Sequence, residues 1–107
     1  MALQIYSVAI EMIRQLRPLL ERIETRDKNL GDQLRRAATS VPLNLNEGAY
    51  SLGRNVRARY YNALGSAAEV RACLDVAEAF GYIDQVAPSL RDMLDRIIAT
   101  VVRLTQQ

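Results

Sequence analysis

A chain of 107 residues is the size of one domain, and we expect residues 1–107 to form a single domain. Half of the residues are hydrophobic and 24% are charged, a balance that is typical of ordered globular proteins and excludes a disordered chain. The net charge of +2 is modest, and the lack of histidine removes the commonest general base and metal ligand at neutral pH.

The first amphipathic segment predicts helix one, because its apolar residues recur at steps of three and four. Pro18 lies on the polar side of this segment, so we expect it to kink the helix and not to end it. A polar turn is predicted at residues 25–29. The apolar stripe consists of Ile5, Ala9, Met12, Leu16, Leu19 and Ile23.

The second segment predicts one helix that runs through Pro42, because the apolar spacing keeps its phase on both sides of the proline. We expect this helix to end between Gly48 and Gly53. Its apolar face consists of Leu30, Leu34, Ala37, Ala38, Val41, Leu45, Gly48 and Leu52.

The third and fourth segments complete an all-α pattern. Helix three has a heptad spacing, and Gly81 stands where a helix C-cap is expected; its apolar residues are Val56, Tyr60, Ala63, Ala67, Val70, Leu74 and Ala77. Helix four is predicted to begin between Asp84 and Pro88, and it carries Leu90, Leu94, Ile97, Val101 and Leu104. Short connections between long helices predict an antiparallel up-down-up-down four-helix bundle.

The N-terminal residues lack the basic and uninterrupted apolar regions of a signal peptide. No window approaches the roughly 18 to 20 apolar residues that span a bilayer. We therefore expect a cytoplasmic protein with no membrane association. The single cysteine, Cys73, cannot form an internal disulfide and is expected to be a packing residue.

The sequence offers few residues or motifs that could catalyse a reaction. Ser66 lies in the middle of a helical pattern and not at a strand-to-helix turn, where a nucleophilic serine would be expected. The Glu-x-x-His pairs of a di-iron bundle cannot occur without histidine, and phosphate-loop and dinucleotide glycine patterns are lacking. We expect no catalytic residue, no metal site and no cofactor.

Polar residues run beside the apolar faces of helices two and three. They are Gln33, Arg36, Ser40, Asn44 and Glu47 on helix two, and Arg59, Asn62, Ser66 and Glu69 on helix three. We favour the interpretation that they form structural hydrogen bonds and ion pairs, at helix boundaries or between subunits; the alternative is that they line a pore or ligand site. In both cases half-buried Arg36, Glu47, Arg59 and Glu69 are expected to be paired.

A basic patch lies between Glu47 and Glu69, where the sequence has no acid. Arg54, Arg57 and Tyr61 share a helical face there, so the guanidinium groups are suited to phosphates and the ring to stacking on a base. The alternative is a solvated helix end with a cation–π contact between Arg57 and Tyr61, which we favour for a monomer. Repetition of the patch around a ring would strengthen phosphate binding.

Three elements in a fixed order resemble a bacterial four-helix bundle family. They are a Gln-Leu-Arg-Arg-Ala-Ala run from Gln33, an Asn-x-x-Glu-Gly element ending at Gly48, and a Gly-Ser-x-x-Glu element ending at Glu69. The family contains the proteins encoded in intervening sequences of large-subunit ribosomal RNA and the accessory variability determinant of diversity-generating retroelements. The match covers most of the chain from helix two onward.

The resemblance implies an antiparallel bundle that assembles into a barrel-like homopentamer and performs no catalysis. For the retroelement member it also implies binding of nucleic acid and of a reverse transcriptase through basic surface residues. The matching positions are interpreted as packing and assembly determinants; they are Gln33, Arg35, Arg36, Asn44, Glu47, Gly48, Gly65, Ser66 and Glu69.

Two functions remain open at this point. The leading hypothesis is a homo-oligomeric adaptor that binds RNA or DNA, with Arg54, Arg57, Arg35 and Arg36 as the best candidate contacts. The alternative is a protein-binding or structural assembly module with no nucleic-acid role. An enzyme built around Ser66 ranks last.

Overall fold

The computed structural model describes residues 2–51, 53 and 55–106, with side chains from residue 4 onward, and in these residues it contains four helices and no strand. The helices are α1 (Ala2–Arg26), α2 (Lys28–Tyr50), α3 (Asn55–Ala79) and α4 (Pro88–Thr105). The predicted all-α class is confirmed, as is the start of helix four. Within the described part of the chain, no helix combines the length and the apolar character needed to cross a membrane.

Each helix packs against two neighbours. α1 lies against α2 and α4, and α3 lies against the same two helices, so α1 and α3 are diagonal corners of the bundle. Because the connections are short, consecutive helices run in opposite directions. The predicted antiparallel up-down-up-down bundle is confirmed.

The core contains most of the apolar residues that the periodicity selects, although Val56 at the start of α3 is only partly buried. Large side chains such as Met12, Leu34, Leu74 and Leu94 are fully buried. One assignment on α1 was wrong: Leu20 is the buried residue, whereas Leu19 is only partly buried and packs against the core from its edge. Cys73 is a free, buried cysteine, as a packing residue should be.

Both prolines inside helices are accommodated. α1 continues through exposed Pro18 and α2 continues through buried Pro42, so the prediction that neither proline ends its helix is confirmed. α2 ends at Tyr50, inside the predicted interval. Leu52, which the sequence analysis placed on the apolar face of helix two, lies outside the described residues.

The predicted five-residue turn between α1 and α2 was wrong, because only Asp27 lies outside the two helices. Asp27 is extended, and its Oδ1 accepts a hydrogen bond of 2.9 Å from the backbone N–H of Leu30. One extended residue reverses the chain because its own carboxylate satisfies a free N–H at the start of α2. Its other oxygen, Oδ2, accepts a hydrogen bond of 3.1 Å from the hydroxyl of Tyr82, which joins this turn to the end of α3.

The C-terminal end of α3 is closed by Gly81, as predicted. Gly81 has a φ of 75°, its N–H bonds to the carbonyl of Glu78, and the N–H of Tyr82 bonds to the carbonyl of Ala77. This pair of bonds is the Schellman motif, in which glycine takes the left-handed conformation that other residues disfavour. The following segment is fixed by the Glu78 carboxylate, which accepts hydrogen bonds from the N–H of Val86 and from Arg91 on α4.

Candidate nucleic-acid interface

An open groove of about 490 Å³ runs between α2 and α3, and we call it the α2–α3 groove. It is polar and basic at its rim, and Leu43, at 56% exposure, stands within it as an exposed apolar side chain. The lining residues are Arg35, Arg36, Thr39, Ser40, Leu43, Asn44, Glu47 and Arg59. Four members of the predicted polar stripe of helix two therefore line one surface, while half-buried Gln33 does not.

Ser40 is the centre of a hydrogen-bond network at the base of the groove. Asn44 Nδ2 donates to the backbone carbonyl of Ser40 at 2.9 Å and to its Oγ at 2.8 Å. Ser66 on α3 donates to the same Oγ at 2.8 Å. The Ser66 bond connects α3 to α2, and the Asn44 bonds lie within α2, so both residues have the structural role that we favoured for the polar stripe.

The arginines of the groove differ in their ion pairs. Arg59 Nε lies 2.9 Å from Glu47 Oε2, and an Arg35 guanidinium nitrogen lies 2.7 Å from Glu24 Oε1 on α1. Arg36 is exposed and has no ion-pair partner among the residues that the structure describes. Three guanidinium groups thus face one groove together with the Glu47 carboxylate, while Glu24 contacts Arg35 from α1.

The expectation that four stripe residues are half-buried and paired was only partly right. Glu47 and Arg59 do pair with each other, but both are exposed. Arg36 and Glu69 are exposed as well, and neither has an ion pair within residues 4–51, 53 and 55–106. All four side chains point to solvent from the edge of their helices, so desolvation does not require them to be paired.

The basic patch predicted on helix three is a separate surface. Arg57 and Tyr61 are both exposed, but neither lines the α2–α3 groove. Tyr61 and Arg59 are two residues apart and so point about 160° away from each other on a helix. Arg54, the third member of the predicted patch, lies outside the described residues.

Two glycines assigned to packing and assembly behave differently. A Cβ on Gly48 would lie 2.5 Å from a ring carbon of Tyr60, so Gly48 is a packing residue between α2 and α3. A Cβ on Gly65 would have no neighbour within 4 Å, so nothing within the chain requires a glycine there. The packing interpretation therefore applies to Gly48, while Gly65 has no packing role inside this bundle.

Sequence reasoning missed two features of the groove. Arg59 was not among the predicted nucleic-acid contacts, and the structure places it on the same groove as Arg35 and Arg36. Leu43 was not singled out at all, although it interrupts a polar surface. The spacing of polar residues on α2 predicted part of the groove. Which residue of α3 joins them depends on how the two helices are aligned.

The two nucleophiles considered from the sequence, Cys73 and Ser66, are not activated. Burial, and then the nearby Glu69 carboxylate, raise the pKa of the Cys73 thiol, which lowers its thiolate fraction at neutral pH. The Ser66 hydroxyl donates its hydrogen bond to the Ser40 hydroxyl, which is not a general base. The described residues also do not bring together three acidic, cysteine or histidine side chains as a metal site would need. This geometry is suited to binding through charge and hydrogen bonds.

The fold and the groove define a small helical-bundle protein with an arginine-lined polar surface. The family model of the 23S rRNA-intervening sequence protein matches residues 1–103, and the chain belongs to this family. The resemblance that was visible from helix two onward therefore extends over α1 as well. No curated protein and no solved structure matches the chain.

Proposed function

We propose that this protein is a non-enzymatic, homo-oligomeric adaptor, assembled as a pentamer in the cytoplasm, that binds nucleic acid through its α2–α3 groove. The family name refers to an intervening sequence of ribosomal RNA, which makes RNA the first ligand to test. The observation that carries the proposal is the convergence of Arg35, Arg36 and Arg59 on one open groove.

Guanidinium groups are suited to phosphates because their planar donors can bond two oxygens at once. The two groove arginines that already face carboxylates remain available, since exposed ion pairs contribute only about 0 to 1 kcal/mol and a phosphate can replace or join the carboxylate. Leu43 offers an apolar contact for a ribose or base beside these charges.

Oligomerisation supports this binding mode. The three arginines and the one glutamate that line the groove carry two net positive charges, and Glu24 beside Arg35 offsets one of them, which leaves a weak site in a single chain. Repeating the groove in several subunits adds their fields and allows one nucleic-acid strand to contact more than one groove.

A binding assay with fluorescently labelled strands tests the proposal. Single-stranded RNA, double-stranded RNA and DNA of the same sequence are titrated with protein over a series of salt concentrations. We expect binding at low salt that weakens steeply as salt rises, and weaker binding in the Arg35→Ala/Arg36→Ala variant. The matched control is Arg22→Ala/Arg26→Ala, which removes the same charge from exposed positions of α1. No binding of any strand at low salt would reject nucleic acid as the ligand.

The alternative is a protein-binding or structural assembly module, with a reverse transcriptase as one such partner. The ion pairs Arg35–Glu24, between α2 and α1, and Arg59–Glu47, between α3 and α2, favour it, because they engage two of the three groove arginines within the chain. Under this alternative the two double variants bind nucleic acid equally weakly, and Arg35→Ala/Arg36→Ala lowers the stability of the bundle instead.

A further inference from the structure

The acidic residues are unevenly distributed along the bundle. All 12 acids lie in residues 11–47 and 69–95, so residues 1–10, 48–68 and 96–107 carry no negative side chain. Because consecutive helices are antiparallel, the start of α1, the end of α2, the start of α3 and the end of α4 lie at the same end of the bundle. We call this the basic end, and the summed field of its arginines attracts anions.

A cleft of about 200 Å³ lies between α1 and α4 at the basic end. We call it the α1–α4 cleft, and its lining residues are Gln4, Ile5, Arg96, Thr100 and Arg103. Both of its charged side chains are cations. The volume is below the roughly 300 to 1,000 Å³ of sites that hold drug-sized molecules, so the cleft suits one small group.

The two arginines of the cleft lie on one face of α4. Arg96 and Arg103 are seven residues apart with Thr100 between them, so the three positions fall within a sector of about 60°. Arg103 leans back toward Arg96, because one of its guanidinium nitrogens donates to Thr100 Oγ1 at 3.3 Å. Both guanidinium groups therefore border the same space.

Most hydrogen-bond donors of the cleft are unused. Arg96 forms no side-chain hydrogen bond and no ion pair with the residues that the structure describes, and the Arg103 guanidinium bonds only to Thr100 among them. Thr100 is 6% exposed, and its hydroxyl accepts the bond from Arg103 but donates to no acceptor in the described part of the chain. An anion in the cleft would accept from both guanidinium groups and from this hydroxyl.

Two carboxylates lie near Arg96 but outside the cleft. Glu11 and Asp92 line the adjoining space between α1 and α4, which Arg96 also borders. Glu11 binds Arg14 at 3.1 Å, and neither acid forms an ion pair with Arg96. Both acids lie on the side of Arg96 that is farther from the basic end, so no carboxylate side chain lines the cleft itself.

The donors of the cleft fit a tetrahedral anion better than a planar one. The two guanidinium groups and the Thr100 hydroxyl belong to α4, whereas the Gln4 amide belongs to α1. A phosphate monoester has three oxygens that point in different directions and can accept from both walls, while a carboxylate has two oxygens in one plane. Its charge of about −1.5 to −2 at pH 7 also nearly balances the two arginines.

We propose that the α1–α4 cleft binds a phosphate group, either free inorganic phosphate or the terminal phosphate of a nucleotide or an RNA strand. Arg96 and Arg103 hold its oxygens, and the Thr100 hydroxyl donates a further hydrogen bond to it. Because α1 and α3 are diagonal corners of the bundle, the cleft lies on the side opposite the α2–α3 groove. The proposal does not rest on nucleic-acid binding in that groove.

An NMR titration of the isotope-labelled full chain tests the cleft. Inorganic phosphate, adenosine 5′-monophosphate, adenosine and acetate are added separately at constant ionic strength. We expect saturable shifts of the Thr100 and Arg103 amide signals with the two phosphates, and none with adenosine or acetate. In Arg96→Gln/Arg103→Gln the affinity for phosphate should fall about tenfold or more, because two charged donors are lost. The matched control is Arg22→Gln/Arg26→Gln, which removes the same charge from exposed positions at the other end of α1 and should leave the affinity unchanged.

The Thr100→Val variant separates the hydroxyl from the charge of the cleft. Valine is close to threonine in volume and in helix propensity, so this variant is expected to fold with the same net charge. We expect its affinity for phosphate to be about tenfold lower. Unchanged affinity in either cleft variant, an equal loss in the control variant, equal binding of acetate, or no saturable shift with either phosphate would each overturn the proposal.

An RNA strand with a 5′-phosphate and the same strand with a 5′-hydroxyl identify the source of the phosphate. Tighter binding of the phosphorylated strand that is lost in Arg96→Gln/Arg103→Gln assigns the cleft to an RNA end. Equal binding of the two strands, with inorganic phosphate still bound, assigns it to free phosphate. The 5′-hydroxyl strand reports the α2–α3 groove separately, because only Arg35→Ala/Arg36→Ala should weaken its binding. If the cleft variant weakened that strand as much, the cleft would bind internal phosphates and the proposal would be wrong.

Discussion

The ring of Tyr60 lies directly against the backbone of Gly48, where α3 crosses α2. A Cβ added to Gly48 would come within 2.5 Å of Cε1 and 2.9 Å of Cδ1 of this ring. Tyr60 is only 6% exposed, so the ring has little room to move away. The close approach of α2 and α3, and with it the shape of the groove beside them, depends on the missing side chain.

We expect Gly48→Ala to destabilise the protein. Overpacking costs about 1 to 3 kcal/mol, and the better helix propensity of alanine returns only about 1 kcal/mol. Urea unfolding followed by circular dichroism measures the difference. Gly65→Ala is the matched control, because that position is open and the same substitution should raise stability by about 0.5 to 1 kcal/mol. Equal gains at both glycines would mean that Tyr60 does not constrain Gly48.

Asp27 is expected to be the most sensitive polar residue of the α1–α2 turn. Asp27→Ala removes both the cap on Leu30 and the acceptor for Tyr82, and the loss of an N-cap alone costs about 0.5 to 2 kcal/mol. Asp27→Asn keeps an oxygen for the cap and should lose clearly less. Thermal unfolding of the two variants provides the comparison, and an equal loss in both would show that the charge of Asp27 matters more than its hydrogen bonds.

Stability should decline in alkaline solution. Burial raises the pKa of Tyr60 above its ordinary value of 10.0, so the unfolded chain releases the proton first and unfolding becomes more favourable as the pH rises through 10.0. Below that pH both states hold the proton and the effect vanishes. We expect Tyr60→Phe to lose less stability than the wild type between pH 9 and pH 11, in urea titrations at each pH. The free energy of unfolding of Tyr60→Phe will still fall as the pH rises, because the pKa values of Cys73 and Tyr82 are also raised. If the free energy of unfolding fell equally with pH in the wild type and in Tyr60→Phe, the prediction would be wrong.

The helices were predictable because their periodicity marks the face that must be buried, and Pro18 and Pro42 do not disturb that phase. Two errors have a common origin. Leu19 and Leu20 are adjacent apolar residues, and only the position of the neighbouring helix decides which one is enclosed. The single-residue turn at Asp27 likewise depends on the approach of α1 to α2, since a Cβ on Gly31 would lie 2.5 Å from the side chain of Glu24.

The candidate site was less predictable for a physical reason. A stripe on one helix can be read from the spacing of its residues, and four of the five polar positions on α2 do line the groove. Which residue of α3 stands beside them depends on the axial alignment of two helices, a quantity that no single helix encodes. The pair of Arg59 with Glu47 is such a case.

The salt dependence of nucleic-acid binding distinguishes the groove from the Arg57 and Tyr61 surface. Each phosphate contact that is lost lowers the slope of log affinity against log salt by about 0.7 to 0.9, so Arg35→Ala/Arg36→Ala should reduce the slope by about 1 to 2. Arg57→Ala should change it much less, because Arg57 lies outside the groove. Fluorescence anisotropy at several salt concentrations measures both slopes. If Arg57→Ala produced the larger reduction, the strand would run over the start of α3, as the sequence patch predicts, and the groove would not be the interface.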